Sequence, residues 1–234
     1  SYAEWLKVVC KVSDKVVCIS KAVADELDVW VDSNSFERVK PLNINWMHLG
    51  ADLGETAPSK GMPSEAKVVL KKFNQKATLL MVGTIEPRKG HLQTIAAFEM
   101  LWQQGFDINL VIVGKEGWQD LPDEQRRTIP KIINKINKHS ELNKRLFWLD
   151  GISDEYLEKV YSSSTCLIAA SEGEGFGLPL IEAAQHKLPI IARDIPVFRE
   201  VAGEHAYYFK GKEPKALAMA IQNWLKLYKT KNHP

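Results

Sequence analysis

The 234-residue chain lacks several features that would each point to a function class. It has three cysteines, Cys10, Cys18 and Cys166, each in or beside an apolar run and none at metal-ligand spacing. An odd, scattered set excludes a disulfide framework and predicts buried free thiols in a reducing compartment. No apolar run is long enough to span a bilayer, and no secretory signal opens the chain. The net charge of +2 favours no highly charged partner, and there is no nucleic-acid signature. The lysine-rich stretches "KIINKINKHSELNKR" and "KLYKTKNHP" read first as solvated helix faces, with a membrane-surface patch as the other reading.

What is present is ordinary for a globular protein: 45% hydrophobic and 26% charged residues,. "SYAEWLKVV" reads like the interior of a larger protein. "DKVVCIS" reads as a buried strand and "SKAVADELDVWV" as a helix with Ser20 as N-cap. "LNINWMHLG" is a second strand, and "ADLGETAPSKGMPSE" is a linker by composition. From there the pattern is regular. Strands "ATLLMVGTI", "INLVIVG", "RLFWLDG", "TCLIAAS", "LPIIARD" and "AYYF" alternate with helices, among them "DEQRRTIPKIINKINKHS", where Pro130 predicts a kink or break, and a long final "PKALAMAIQNWLKLYK". Continuous apolar strands alternating with helices predict an α/β fold, a Rossmann-like parallel sheet with helices on both faces. In such sheets ligands bind beyond the C-terminal strand ends, here at Gly83, Gly114, Gly151 and Ser171.

Three stretches at those ends carry chemistry. In "VGTIEPRKGH", Arg88 and Lys89 precede a helix whose N-terminus attracts anions, so the loop suits phosphates; two solvated bases at an exposed helix start is the bland alternative. In "VIVGKEGW", Gly114 allows close backbone approach and Lys115 adds a cation, although glycine after a strand is also common turn chemistry. In "SEGEGFGLPLIEAA", Gly175 and Gly177 are expected to permit positive φ and close ligand approach, and N–H groups near Phe176, Gly177 and Leu178 can face an anion. Glu174 would repel phosphate but suits sugar hydroxyls, and Glu182 could reach a second hydroxyl set. Donors for an anion flanked by carboxylates for polyols describe a nucleotide sugar. A dinucleotide fingerprint on Gly173, Gly175 and Gly177, with Asp194 as ribose acid, fits less well: position 178 is Leu, and Glu174 would crowd a pyrophosphate.

Together these stretches resemble the donor-binding half of retaining GT-B glycosyltransferases, a family that includes many bacterial polysaccharide mannosyltransferases. Glu174 through Glu182 match its two-glutamate signature, "GTIEPRKGH" its phosphate loop and "LVIVGKEG" its next strand and turn. The resemblance runs over about residues 42 to 230. It implies that residues 1–41 are the end of an N-terminal acceptor domain, 42–66 a crossover strand and linker, 67–212 the donor-binding domain, and 213–234 a final helix and tail. That helix commonly crosses back to the N-terminal domain, so "NWLKLYK" is expected to want a partner outside the chain.

By position, the resemblance implies that Arg88 and Lys89 contact the donor diphosphate and that Glu174 holds hydroxyls of the transferred sugar. Gly83, Thr84, Gly114 and Lys115 lie along the donor, and Phe176, Gly177 and Leu178 meet it through their backbones. Glu182 binds ribose, and Ile152, Tyr156 and Leu157 wall the base. Thr84 stands where many relatives carry Arg, so Arg88 is the substitute for that charge. No Asp-X-Asp motif appears, so cations and N–H groups would replace a divalent metal, and no cofactor is expected beyond the donor, GDP-mannose by resemblance. The implied partners are that donor, a saccharide or lipid-linked acceptor and the rest of the N-terminal domain. The implied place is the cytoplasm, with peripheral contact at the inner membrane face. A catalytically inactive nucleotide-sugar-binding module and a sugar-nucleotide epimerase of the same fold are the alternatives.

Overall fold

The computed structural model describes residues 2–34, 36–38, 40–50 and 61–234. An N-terminal segment holds α1 (Tyr2–Val12), β1 (Lys15–Cys18), α2 (Lys21–Ser33) and β2 (Asn43–Trp46), with β1 and β2 paired in parallel. Ser20 caps α2 as expected, its hydroxyl accepting from the Val23 N–H. This segment has its own small core around Cys10, Cys18, Ala24 and Leu27. Residues 51–60 of the expected linker, including "AD" of "HLGAD", lie outside the described residues.

The rest of the chain is α3 (Ala66–Phe73), β3 (Thr78–Val82), α4 (His91–Gln103), β4 (Asn109–Val113), α5 (Ile129–Asn137), β5 (Leu146–Leu149), α6 (Asp154–Ser162), β6 (Cys166–Ala169), α7 (Leu178–Gln185), β7 (Ile190–Arg193), α8 (Pro196–Ala202), β8 (Tyr207–Phe209) and α9 (Pro214–Lys229). Its six strands form one sheet in the order β5-β4-β3-β6-β7-β8, every neighbour parallel. The α/β class expected from the alternating pattern is the one found. The strands are apolar throughout because both faces are covered. Leu79, Leu110, Ile112, Cys166, Ile168 and Ile191 point to one core under α4, α5 and α9. The intervening Leu80, Val111, Val113, Leu167, Ile190 and Ala192 point to another under α3, α6, α7 and α8. All three cysteines are free and buried.

The kink or break expected at Pro130 is a break: a short 3₁₀ turn at Asp123–Gln125 comes first, and Pro130 sits in the opening turn of a separate α5, where its missing N–H costs nothing,. One expectation changes. "NWLKLYK" does not wait for an outside partner. Trp224 is fully buried with Leu217 and Ile221 in the core that α9 shares with α4. Among the described residues no helix is long and apolar enough to cross a membrane.

Candidate functional site

The strand order reverses between β3 and β6, and a crevice opens there beyond the C-terminal strand ends,. The loop after β3 (residues 83–90) and the loop after β6 (residues 170–177) therefore face each other. Gly90 makes this possible. Its φ is +79°, and a Cβ there would lie 2.4 Å from the Ala170 carbonyl oxygen, so only glycine fits,. The Glu172 N–H donates to the Arg88 carbonyl at 2.8 Å and ties the two backbones. On the other side, Ile85 donates to the Lys115 carbonyl at 2.8 Å and accepts from the Gly117 N–H at 3.1 Å, laying the loop along the one after β4.

The loops bring Arg88, Lys89 and Glu174 into one cluster. Lys89 Nζ lies 2.6 Å from Glu174 Oε1 and Arg88 Nη1 2.7 Å from Oε2. Ser171 Oγ donates to Oε1 at 2.7 Å. Arg88 also donates to the Gly173 carbonyl at 2.8 Å and pairs with Glu86 at 3.2 Å. Burial pushes the Glu174 carboxyl pKa up, but hydrogen bonds from Lys89 and Ser171, the Lys89 charge and the Arg88 bond outweigh it and hold the pKa below the usual carboxylate range,. Glu174 is thus an anion at neutral pH and the counter-ion of both bases.

A cleft of about 400 Å³ opens beside this cluster. Gly83, Thr84, Lys89 and Glu174 line one part of it, with Phe176, Gly177, Leu178, Glu182 and Leu157, and the N-terminal segment contributes Ile19 and Leu49. Gly177 has φ +95° where the chain turns into α7, as expected. Gly175 lines the cleft but does not have positive φ; a Cβ there would meet Ile19 Cδ1 at 2.8 Å, so a larger residue would make the Ile19 side chain shift. In the first turn of α7, Pro179 has no N–H and the Leu180 N–H donates to the Gly177 carbonyl at 2.9 Å, so Leu178 carries the N–H that the helix itself leaves unused,. Glu182 Oε2 accepts from the Tyr161 hydroxyl at 2.5 Å.

Other expected residues stand apart. Gly114 does not line the cleft, and a Cβ on it would overlap the Gly83 carbonyl, so its bareness lets two loops pack rather than a ligand approach. Lys115 is exposed beside Gly151. Ile152 is half-buried against the core, and Tyr156 is inside it at 3% exposure, which leaves Leu157 as the member of that trio in the cleft.

Sequence reasoning misses two residues, Tyr161 and Arg193, and marks Ser171 as a ligand-side strand end without showing that it holds Glu174. Tyr161 is 2% exposed and stacks flat on His186; burial and the Glu182 charge push its phenol pKa far up, so it stays a donor to Glu182. Arg193, 5% exposed, donates to the Ala170 carbonyl at 3.0 and 3.1 Å and to the Ser171 carbonyl at 3.1 Å. Its other bonds go to the Gly211 carbonyl and the Gln93 side chain. It anchors the root of the Glu174 loop from behind. Its position at the end of an apolar strand is the only local signal.

The family model described as "Glycosyl transferases group 1" matches residues 64–234. The chain belongs to that family. Group 1 glycosyltransferases are therefore the frame for the cluster at the switch point. Among curated relatives, a serotype-specific mannosyltransferase WbdA of Escherichia coli is 48% identical over 232 residues, which is 98% of this chain and 27% of the relative. The O-antigen chain mannosyltransferase RfbU of Salmonella typhimurium is 39% identical over 83 residues, 36% of this chain and 24% of that protein. The chain thus spans about a quarter of the length of WbdA, the relative it matches over nearly all its residues. Among solved structures, sucrose-phosphate synthase from Thermosynechococcus elongatus superposes with a TM-score of 0.71 at 24% identity, over 97% of this chain and 53% of that one. Anabaena Alr3699/HepE, in complex with UDP and glucose, gives 0.68 at 14% identity, over 99% and 58%. These likenesses carry the fold.

Proposed function

We propose that this chain is the donor-binding part of a retaining mannosyltransferase that moves mannose from GDP-mannose to a growing polysaccharide or glycolipid acceptor at the inner face of the cytoplasmic membrane. The observation that carries the reading is the meeting of Arg88, Lys89 and Glu174 beside a cleft that Glu182 also lines. Bases alone would suit any phosphate. Bases with a carboxylate between them, and a second carboxylate on the next helix, suit phosphates flanked by two polyols. The mannose choice draws on the names of the relatives, WbdA and RfbU, both mannosyltransferases.

In this reading the diphosphate sits at Lys89, Arg88 and the first turn of α7, the mannose hydroxyls at Glu174 and the ribose at Glu182. As the bond from the anomeric carbon to the phosphate oxygen breaks, its electron pair leaves with the diphosphate. The positive groups stabilise that growing charge more in the transition state than in the bound donor. The acceptor hydroxyl attacks the anomeric carbon from the same face, and its proton passes to the departing phosphate oxygen.

Calorimetry of the chain with GDP, GDP-mannose and UDP-sugars tests this. Saturable binding of the guanine nucleotides, with UDP-sugars weaker, is expected, and binding of no nucleotide at all would overturn the reading. Because the chain covers about a quarter of WbdA, the second reading is a module that binds the donor and transfers nothing by itself. Mannose transfer by the chain alone would exclude it.

A further inference from the structure

The N-terminal segment touches the donor loop through a compact set of polar contacts that the proposed chemistry does not use. Ser20 Oγ donates to the Gly175 carbonyl at 2.7 Å while accepting from the Val23 N–H at 3.2 Å. Ile19 fills the space that a side chain on Gly175 would need. The start of α2 is also held from across the molecule. Glu200 of α8 accepts from the Lys21 N–H at 2.7 Å through Oε1 and from the Ala22 N–H at 2.8 Å through Oε2. His48 Nε2 lies 2.6 Å from Glu200 Oε1, and its ring packs 5.4 Å from that of Phe176. A helix start with free N–H groups is favourably met by a carboxylate, and here that carboxylate belongs to a residue about 180 positions later. The Glu200 side chain is 16% exposed, so solvent only partly competes.

Gly175 directly follows Glu174. Whatever fixes its carbonyl limits where the Glu174 side chain begins. We propose that Glu200 is a positioning residue for the donor site: by capping α2 it holds Ser20 on the Gly175 carbonyl, and so sets the stance of Glu174 toward the sugar. The inference rests on the donor-binding reading given above.

The test is titration of GDP and GDP-mannose into the wild-type chain and into Glu200→Ala, Glu200→Gln and Ser20→Ala, with hydrogen–deuterium exchange on each. Losing a cap of this kind is expected to weaken GDP-mannose about 3- to 10-fold. GDP, which has no sugar to meet Glu174, is expected to change by less than about twofold. Glu200→Gln, which keeps an acceptor, should recover part of the loss. Exchange should quicken at residues 173–177 as well as 21–23 in both Glu200→Ala and Ser20→Ala. A merely structural role would weaken both ligands equally. Equal weakening, no change in either ligand, or unchanged exchange at 173–177 in the Ser20→Ala variant would overturn the proposal. Should the wild type bind no nucleotide, the donor-binding reading falls, while the exchange at 173–177 still decides whether Glu200 and Ser20 govern the loop.

Discussion

Glu174→Gln should tighten GDP binding even though it damages transfer. The carboxylate holds Lys89 at 2.6 Å and Arg88 at 2.7 Å, the two bases proposed above to meet the diphosphate. The side chains of Glu174 and Lys89 are 10% and 14% exposed, so this pair lies largely out of water. Arg88 is 46% exposed, and its share is screened,. A charge-assisted hydrogen bond nets about 1.5–3 kcal/mol, and an arriving diphosphate must loosen the one to Lys89. The amide keeps the shape and removes the charge. Taking the lower end, because the pair borders an open cleft, GDP should bind about 1.5 kcal/mol more tightly, roughly tenfold. GDP-mannose should gain much less, because its hydroxyls lose the charged acceptor, and mannose transfer by the full-length protein should fall. Calorimetry at low and high salt reads the effect directly. GDP binding weakened in the same proportion as GDP-mannose would refute the idea that the carboxylate and the diphosphate compete for one pair of bases.

Lys89→Ala should weaken GDP far more than guanosine, and Glu182→Ala should weaken guanosine, GDP and GDP-mannose alike, about tenfold in a competition titration; equal loss of guanosine and GDP in the Lys89 variant would contradict its role. His91, 1% exposed at the start of α4, has neither ring nitrogen at hydrogen-bonding geometry. Burial drives its pKa down to about 4, with the nearby Glu86 backbone offsetting part and the Lys89 charge adding to the fall. The sign follows: both states are neutral above pH 6.5, and between there and pH 4 the unfolded chain takes a proton that the folded one refuses,. Urea unfolding at pH 7 and 4.5 should therefore show about 2–3 kcal/mol of stability lost, and His91→Phe should remove that component. Arg193→Met strips donors from the Ala170, Ser171 and Gly211 carbonyls and should lower unfolding stability by about 2–4 kcal/mol in a denaturant titration,; Arg193→Lys, without the guanidinium fork, should recover only part of it.

Features written in local sequence are legible from the residues alone. Apolar runs mark β3, β4, β6 and β7, and Ser20 caps α2 as its position suggests. Glycines at strand ends locate the crevice. Features that arise only when distant segments meet are not legible. The pairing of Glu174 with residues 85 and 86 positions earlier is one. Gly114 looks like a ligand-facing glycine because sequence cannot show that another backbone fills the space, and the contact of Gly175, which does line the cleft, with Ile19 is equally invisible. Tyr156 and Leu157 are neighbours, yet a helix turns one into the core and the other to the cleft. The α3 helix is hidden because its short amphipathic stretch follows a linker, and Trp224 looks stranded because its partners on α4 lie over a hundred residues earlier.

The placement of β3 between β4 and β6 has a consequence for how the site is completed. β3 and β4 are joined by a short helical crossover, so their pairing closes a modest loop. β6 pairs with the other flank of β3 and follows β5 and α6 in the chain, so that pairing joins residues nearly three times farther apart in sequence than the β3–β4 pairing does. Until it forms, Lys89 has no Glu174 and the crevice has one wall. The site is therefore completed by the β3–β6 pairing and not by the β3–β4 pairing. On the proposed donor reading, a nucleotide added during refolding should gain a complete site only when β6 docks, and should then stabilise the finished sheet.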